Sequence, residues 1–148
     1  MGKGLKKWTT VALSVAVFCA AALPMTAFAA EGDVAKVGDD TFPTVQAAID
    51  AANGKTVTLL ADAQENITIA KDTTVTLDLG AFKLTNKDAK HTITNQGTLT
   101  VVGTGTVDNV THARAALWNE GTANLNGGTF DRSKDAGTSA DQSNNNSY

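Results

Sequence analysis

The sequence predicts a mainly β protein, a parallel β-solenoid of about four coils preceded by an N-terminal capping helix. Three observations predict it. Short segments that alternate threonine with an aliphatic residue recur at near-constant spacing, Gly- and Asn-bearing turns recur with them, and a single amphipathic helical stretch precedes the first copy. A fixed period near two dozen residues is the mark of stacked coils rather than of a closed globule.

The first segment, residues 1–29, reads as a secretory leader. Lys3, Lys6 and Lys7 form a positive start, Trp8 to Leu23 is an uncharged apolar run, and Ala27-Phe28-Ala29 is a small-x-small cleavage site. The run is about 16 residues, short of the roughly 20 that a spanning helix needs, so no stable membrane insertion is expected after cleavage. Three of the 12 basic residues lie in this leader and all 15 acids lie after it, so removal takes the net charge from −3 to −6. The single cysteine, Cys19, goes with it. No disulfide, zinc finger or bulk-charge nucleic-acid binder fits such a chain.

Residues 30–54 read as an N-terminal strand and capping helix. Val34 to Val37 and Thr41-Phe42 flank Gly38-Asp39-Asp40, a hairpin signal. After Pro43, the residues Val45, Ala48, Ile49 and Ala52 share one helical face and Gly54 stops it. A solenoid whose first coil were bare would expose both its core and an unpaired edge, so the helix is expected to cover that end.

Residues 55–131 hold the coils. Thr74-Val75-Thr76-Leu77, Thr98-Leu99-Thr100-Val101 and Thr122-Ala123-Asn124-Leu125 follow one another at offsets of 24. Thr56-Val57-Thr58-Leu59 is an earlier copy 18 residues ahead. A two-residue alternation places the aliphatics inside and the threonines outside. Stacked coils then give inward columns Val57/Val75/Leu99/Ala123, Leu59/Leu77/Val101/Leu125 and Leu84/Val107/Phe130. Asn95 and Asn119 fall at equivalent corners and are expected to form a short asparagine ladder. Such columns explain how a chain with only 5% aromatic residues builds a core. The outward Thr-x-Thr pairs read as ordinary strand surface, the alternative being an ice-binding array. Residues 132–148 are polar and rich in Ser, Asn and Gly, a loop or disordered tail. The repeats are expected to continue beyond Tyr148, and without a cap the last coil invites end-to-end self-association.

Thr74 to Gly80, Thr92 to Val101 and Leu117 to Gly121 followed by Leu125 to Phe130 resemble the repeats of exported bacterial surface proteins. These are right-handed parallel β-helices of the pectin-lyase-like type, and the likeness extends over Val34 to Asp131. The resemblance implies a secreted or cell-surface, adhesin-like binding module without enzymatic activity, facing a host or glycan ligand. The alternative it implies is the N-terminal part of a polysaccharide-degrading lyase or glycosidase, which would use clustered carboxylates and often calcium.

The candidate residues for such chemistry are Asp108 and Asp131, at equivalent positions of adjacent coils and roughly 5 Å apart if stacked. That spacing suits a retaining glycosidase pair or half of a calcium site. Thr85 holds the same position one coil earlier and no further acid or base is read beside them, so the pair reads as two solvated turn aspartates, with no catalytic, metal or cofactor assignment. Asp78 points outward alone. His91, His112 and Arg114 fall in connecting loops and read as polar surface. Asn66-Ile67-Thr68 and Asn109-Val110-Thr111 match a glycosylation sequon.

Overall fold

The computed structural model describes residues 32–134, so the leader read at 1–29 and residues 135–148 of the polar tail lie outside the described residues. Over the described residues the protein is a β-solenoid of about three turns, mainly parallel strand with one short helix.

Each coil contributes one strand to each of three sheets. The first is β3 (Lys55–Leu59), β4 (Ala63–Gln64) and β5 (Ile67–Ile69); the second is β6 (Thr74–Asp78), β7 (Lys83–Thr85) and β8 (Ile93–Asn95). The third is β9 (Thr98–Val102), β10 (Thr106–Asp108) and β11 (Leu117–Asn119), and a fourth begins with β12 (Thr122–Leu125) and β13 (Thr129–Asp131). Sheet A stacks β12-β9-β6-β3, sheet B β13-β10-β7-β4 and sheet C β11-β8-β5, with every coil-to-coil pairing parallel.

The inner columns follow from that register. Leu77 meets Val101 and Val101 meets Leu125 on sheet A, while Leu84, Val107 and Phe130 align on sheet B with Ala63 ahead of them. Sheet C adds Ile67, Ile93 and Leu117, a column not read from the sequence, whose first step is 26 residues and second 24. The first coil departs from the expected stacking. Val57 stands on Leu77 and Lys55 on Val75, a slip of two residues from the 18-residue alignment. A slip of two keeps the same face inward, so burial is unaffected while every column changes partner. The outward threonines shift with it: Thr56 aligns with Thr76, Thr100 and Asn124, whereas Thr74 aligns with Thr98 and Thr122.

The beginning of the stack is closed twice over. β1 (Ala35–Val37) and β2 (Asp40–Phe42) form the expected hairpin, and β1 then pairs antiparallel with β3. The edge of the first coil is thereby taken up by backbone bonds. Helix α1 (Val45–Asp50) starts at Thr44, whose hydroxyl accepts from the Ala47 N–H at 3.1 Å. Glu65 accepts from the Val45 and Gln46 N–H groups at 2.7 and 3.1 Å, tying the helix start to the first coil. Its buried face, Val45, Ala48 and Ile49, joins the same core cluster as the coils.

Two kinds of corner hold the coils in register. At the C-to-A corner the asparagine ladder is present: Asn95 Nδ2 donates to Asn119 Oδ1 at 2.7 Å and to Thr122 O at 2.8 Å. At the B-to-C corner three more asparagines stitch longer loops. Asn66 accepts from the Asp88 N–H and donates to His91 O, Asn86 accepts from the Val110 N–H and donates to Thr111 Oγ1, and buried Asn109 donates to Lys90 O and Ala115 O. The amides of both sequon asparagines are therefore engaged in backbone support, and Asn109 is fully buried.

Candidate functional site

Asp108 and Asp131 do occupy adjacent rungs, paired in register at the ends of β10 and β13. Their surroundings are unlike. Asp131 is exposed and its Oδ1 accepts from the Arg132 N–H at 2.7 Å. Asp108 is not a solvated turn residue: it is fully buried, with Lys83 Nζ 2.8 Å from Oδ2 and the Ser133 N–H 3.0 Å from Oδ1. The corner at Ser133 covers the carboxylate from one side and the half-exposed lysine from the other.

Lys83 is the partner that sequence reading missed. It aligns with Thr106, two residues before Asp108 on the same outer face of sheet B, a diagonal neighbour across the ladder. Burial works against the charged Asp108 carboxylate, but the bonds from Lys83 and Ser133 outweigh it and hold the group below its ordinary value. The bond to Asp108 raises Lys83 above its ordinary value, partial desolvation opposes this, and Asp131 and Asp62 add to the rise. Both groups stay charged at neutral pH, so the carboxylate is committed to an internal ion pair. Among the described residues no third acid or imidazole joins Asp108 and Asp131 in a metal-sized cluster. Asp78 likewise serves its own turn, accepting from the Gly80 N–H at 2.9 Å.

A second constellation lies on sheet C, and the loops build it. Residues 86–92 and 109–116 are the longest links between sheets B and C in the second and third coils, and they stack on one another through the asparagines described above. Arg114 Nε donates to Ala89 O at 3.1 Å, and His91 Nδ1 accepts from the Ala115 N–H at 3.0 Å. That bond requires Nδ1 to be unprotonated, which places the proton of the neutral ring on Nε2. Desolvation, with the Arg114 charge adding to it, lowers the His91 pKa below 6.5 while Glu120 opposes.

The His91 ring lies against the indole of Trp118, with centroids 4.8 Å apart and planes inclined by 22°. Trp118 is the outward residue of β11, aligned with Thr94 and, one coil back, Thr68. It is 47% exposed despite its size. Its Nε1–H donates to Glu120 Oε1 at 3.1 Å, and Glu120 Oε2 accepts from Gln96 Nε2 at 2.9 Å. The bonds from Gln96 and Trp118 hold the Glu120 carboxyl below its ordinary value.

Gln96 also borders an open groove of about 290 Å³ along the C-to-A corner, lined in part by Lys71, Asp72, Thr73, Thr98 and Thr122. The groove floor passes over Gly97 and Gly121, which stack so closely that a Cβ on Gly121 would lie 2.1 Å from Gly97 O. Sequence reading treated His91 as loop surface and Trp118 only as part of a repeat. The available signal was the 24-residue offset, which sets Ala115 beside His91 and Trp118 beside Thr94 and so brings the two segments onto adjacent coils, but does not by itself pair the imidazole with the indole. No protein-family model, curated protein or solved structure matches the chain.

Proposed function

We propose that the protein is an exported, adhesin-like β-solenoid of the right-handed, pectin-lyase-like type that acts as a binding module at the cell exterior rather than as an enzyme. The observation that carries this reading is the fate of the acid pair. Asp108 is buried in an ion pair with Lys83, and that arrangement serves the stack rather than a substrate. The leader pattern of residues 1–29 supports export. The outer faces of the three sheets supply long, regular surfaces of the kind that such modules present to extended partners.

Expression of the full chain, followed by fractionation and N-terminal sequencing, tests the reading. The expected product begins at Ala30 and is found outside the cytoplasm. An uncleaved chain that stays in the cytoplasm would sink it.

A further inference from the structure

We propose that Trp118, Glu120, Gln96 and the adjoining groove form a binding site for a neutral saccharide chain, an inference that rests on the surface-module reading above. A sugar ring is amphipathic: C–H bonds lie on its faces and hydroxyl groups ring its rim. A site for it needs an apolar plate with hydrogen-bonding groups beside it. Trp118 supplies the plate, a residue nearly half open to solvent with its ring stacked on His91. Indole rings are the side chains that most often anchor a ligand in this way, because a large apolar area comes with only two torsions to fix.

The plate is held in place before any ligand arrives. The His91 ring stacks on it, Glu120 accepts its N–H, Gln96 holds Glu120, and the Ala115 N–H holds His91. A side chain already ordered loses little freedom on binding. The polar rim is suited to hydroxyl groups. Among the described residues each Glu120 oxygen accepts one bond, and a carboxylate has about four lone-pair sites, so each oxygen retains acceptor capacity. Gln96 uses its amide nitrogen on Glu120 and adds a carbonyl oxygen as a further acceptor. Because Gln96 belongs to both the platform and the groove, a chain of several rings can engage both, meeting the threonines of the corner after the indole.

Charge selects among saccharides. The ionised Glu120 stands beside the plate, and the chain after the leader is acidic, so a uronate ring would bring like charge against the rim. A neutral oligosaccharide meets no such opposition.

The test uses the full chain carrying Trp8→Phe, which leaves Trp118 as the single indole, titrated with maltohexaose, cellohexaose, xylohexaose, mannohexaose and hexagalacturonate. At least one neutral hexasaccharide is expected to change the Trp118 emission saturably at or below the millimolar range. Calorimetry on Trp118→Ala should then show binding weakened by about thirtyfold or more, the loss typical of a central aromatic anchor. Glu120→Gln should weaken it by roughly fivefold to tenfold, and Trp118→Phe, which keeps a plate but no N–H, should fall between. Unchanged thermal unfolding of the three variants establishes that the fold is retained. Absence of any response up to about 10 mM, unchanged affinity in Trp118→Ala, or tighter binding of hexagalacturonate would each overturn the proposal. Export of a chain that binds no sugar removes this site and leaves the module reading standing, whereas sugar binding by an unexported chain does the reverse.

Discussion

Replacing Gly97 by alanine should unfold the stack more readily than any single surface change. Gly97 lies at the C-to-A corner beneath Gly121, where the backbones of successive coils touch. A Cβ on Gly97 would sit 2.3 Å from Thr73 O and 2.4 Å from Ala70 O, against a closest ordinary approach of 3.0 Å. Both neighbours are backbone, so the corner itself must move by about 0.7 Å. Thr73 O accepts from the Thr98 N–H at 2.9 Å, and Gly97 O accepts from the Thr122 N–H at 2.9 Å, so the displacement strains ladder bonds to both adjacent coils. Overpacking of a rigid site costs about 1–3 kcal/mol and each strained backbone bond about 1 kcal/mol more, for a total of about 3–5 kcal/mol. A domain of this size has about 5–15 kcal/mol of stability, so the melting temperature should fall by roughly 15 °C or more. Urea unfolding followed by circular dichroism measures the free-energy loss, and a thermal scan the shift in melting temperature. Gly38→Ala is the control: nothing lies within 4 Å of its Cβ, and its φ of +61° makes the cost one of backbone angle alone, about 1 kcal/mol. A Gly97→Ala chain within about 1 kcal/mol of the parent would refute the close-packed corner.

Three further outcomes follow from the same contacts. Lys83→Met should lower stability by about 1–2 kcal/mol, less than for a fully buried pair because solvent reaches the ammonium. The pH dependence has a definite sign. Asp108 is held below its ordinary 3.8, so its contribution is complete above that value and is lost as pH falls through the folded pKa. Lys83 is held above its ordinary 10.5, so its contribution is complete below that value and is lost as pH rises through the folded pKa. The stability difference between parent and Lys83→Met should therefore be flat at neutral pH and shrink at both extremes; a constant difference from acid to alkali would contradict the pair. Asn95→Leu should cost about 2–3 kcal/mol by chemical denaturation, since it strips bonds from Asn119 Oδ1, Thr122 O and the Gly97 N–H. The space itself accepts an aliphatic group, because Ile69 fills the same rung position one coil earlier, so Asn95→Ala should be the worse of the two. Leu77→Ala, fully buried between Val57 and Val101, should cost about 2–5 kcal/mol in the same assay, and a loss under about 1 kcal/mol would mean the columns are loosely packed.

The coils were legible because their periodicity is redundant. Sheets A and B repeat both their aliphatics and their turns at 23–24 residues, and the register confirms the columns from Leu77 onward. The first coil was misaligned because a Thr-Val-Thr-Leu string matches itself equally well at a shift of two, and inward burial cannot tell the two registers apart. Sheet C stayed hidden for a different reason. The links between sheets B and C grow after the first coil, so Ile67 to Ile93 spans 26 residues where Ile93 to Leu117 spans 24, and the column keeps no constant period although all three residues lie in the core. Asparagine was the residue most easily misread. At Asn95 the ladder was visible, but Asn66 and Asn109 matched a modification motif when their amides in fact close the B-to-C loops. The outward face was read one strand at a time, and so Lys83 was not set beside Asp108, nor His91 beside Trp118.

These last two omissions share a cause that bears on where function resides in a solenoid. Side chains that repeat are answerable to the stack: Leu77 meets Val101, Thr74 meets Thr98 and Asn95 meets Asn119 in the next coil. A position that breaks the repeat has no such obligation. Trp118 follows Thr68 and Thr94 in one outward column, and neither threonine needs an indole as its neighbour. The stack gains no buried core from it, since the ring faces outward and stays 47% exposed. Asp108 breaks its column too, following Thr85, but that break is absorbed: Lys83 and Ser133 enclose it. A departure from the repeat that the fold buries is a staple, whereas one that it orients and leaves open is available to a partner. Trp118 is the second kind, and its supports, His91, Glu120 and Gln96, come from two successive coils. The platform therefore exists only when the coils are stacked in the observed register, which ties whatever it binds to the integrity of the solenoid itself.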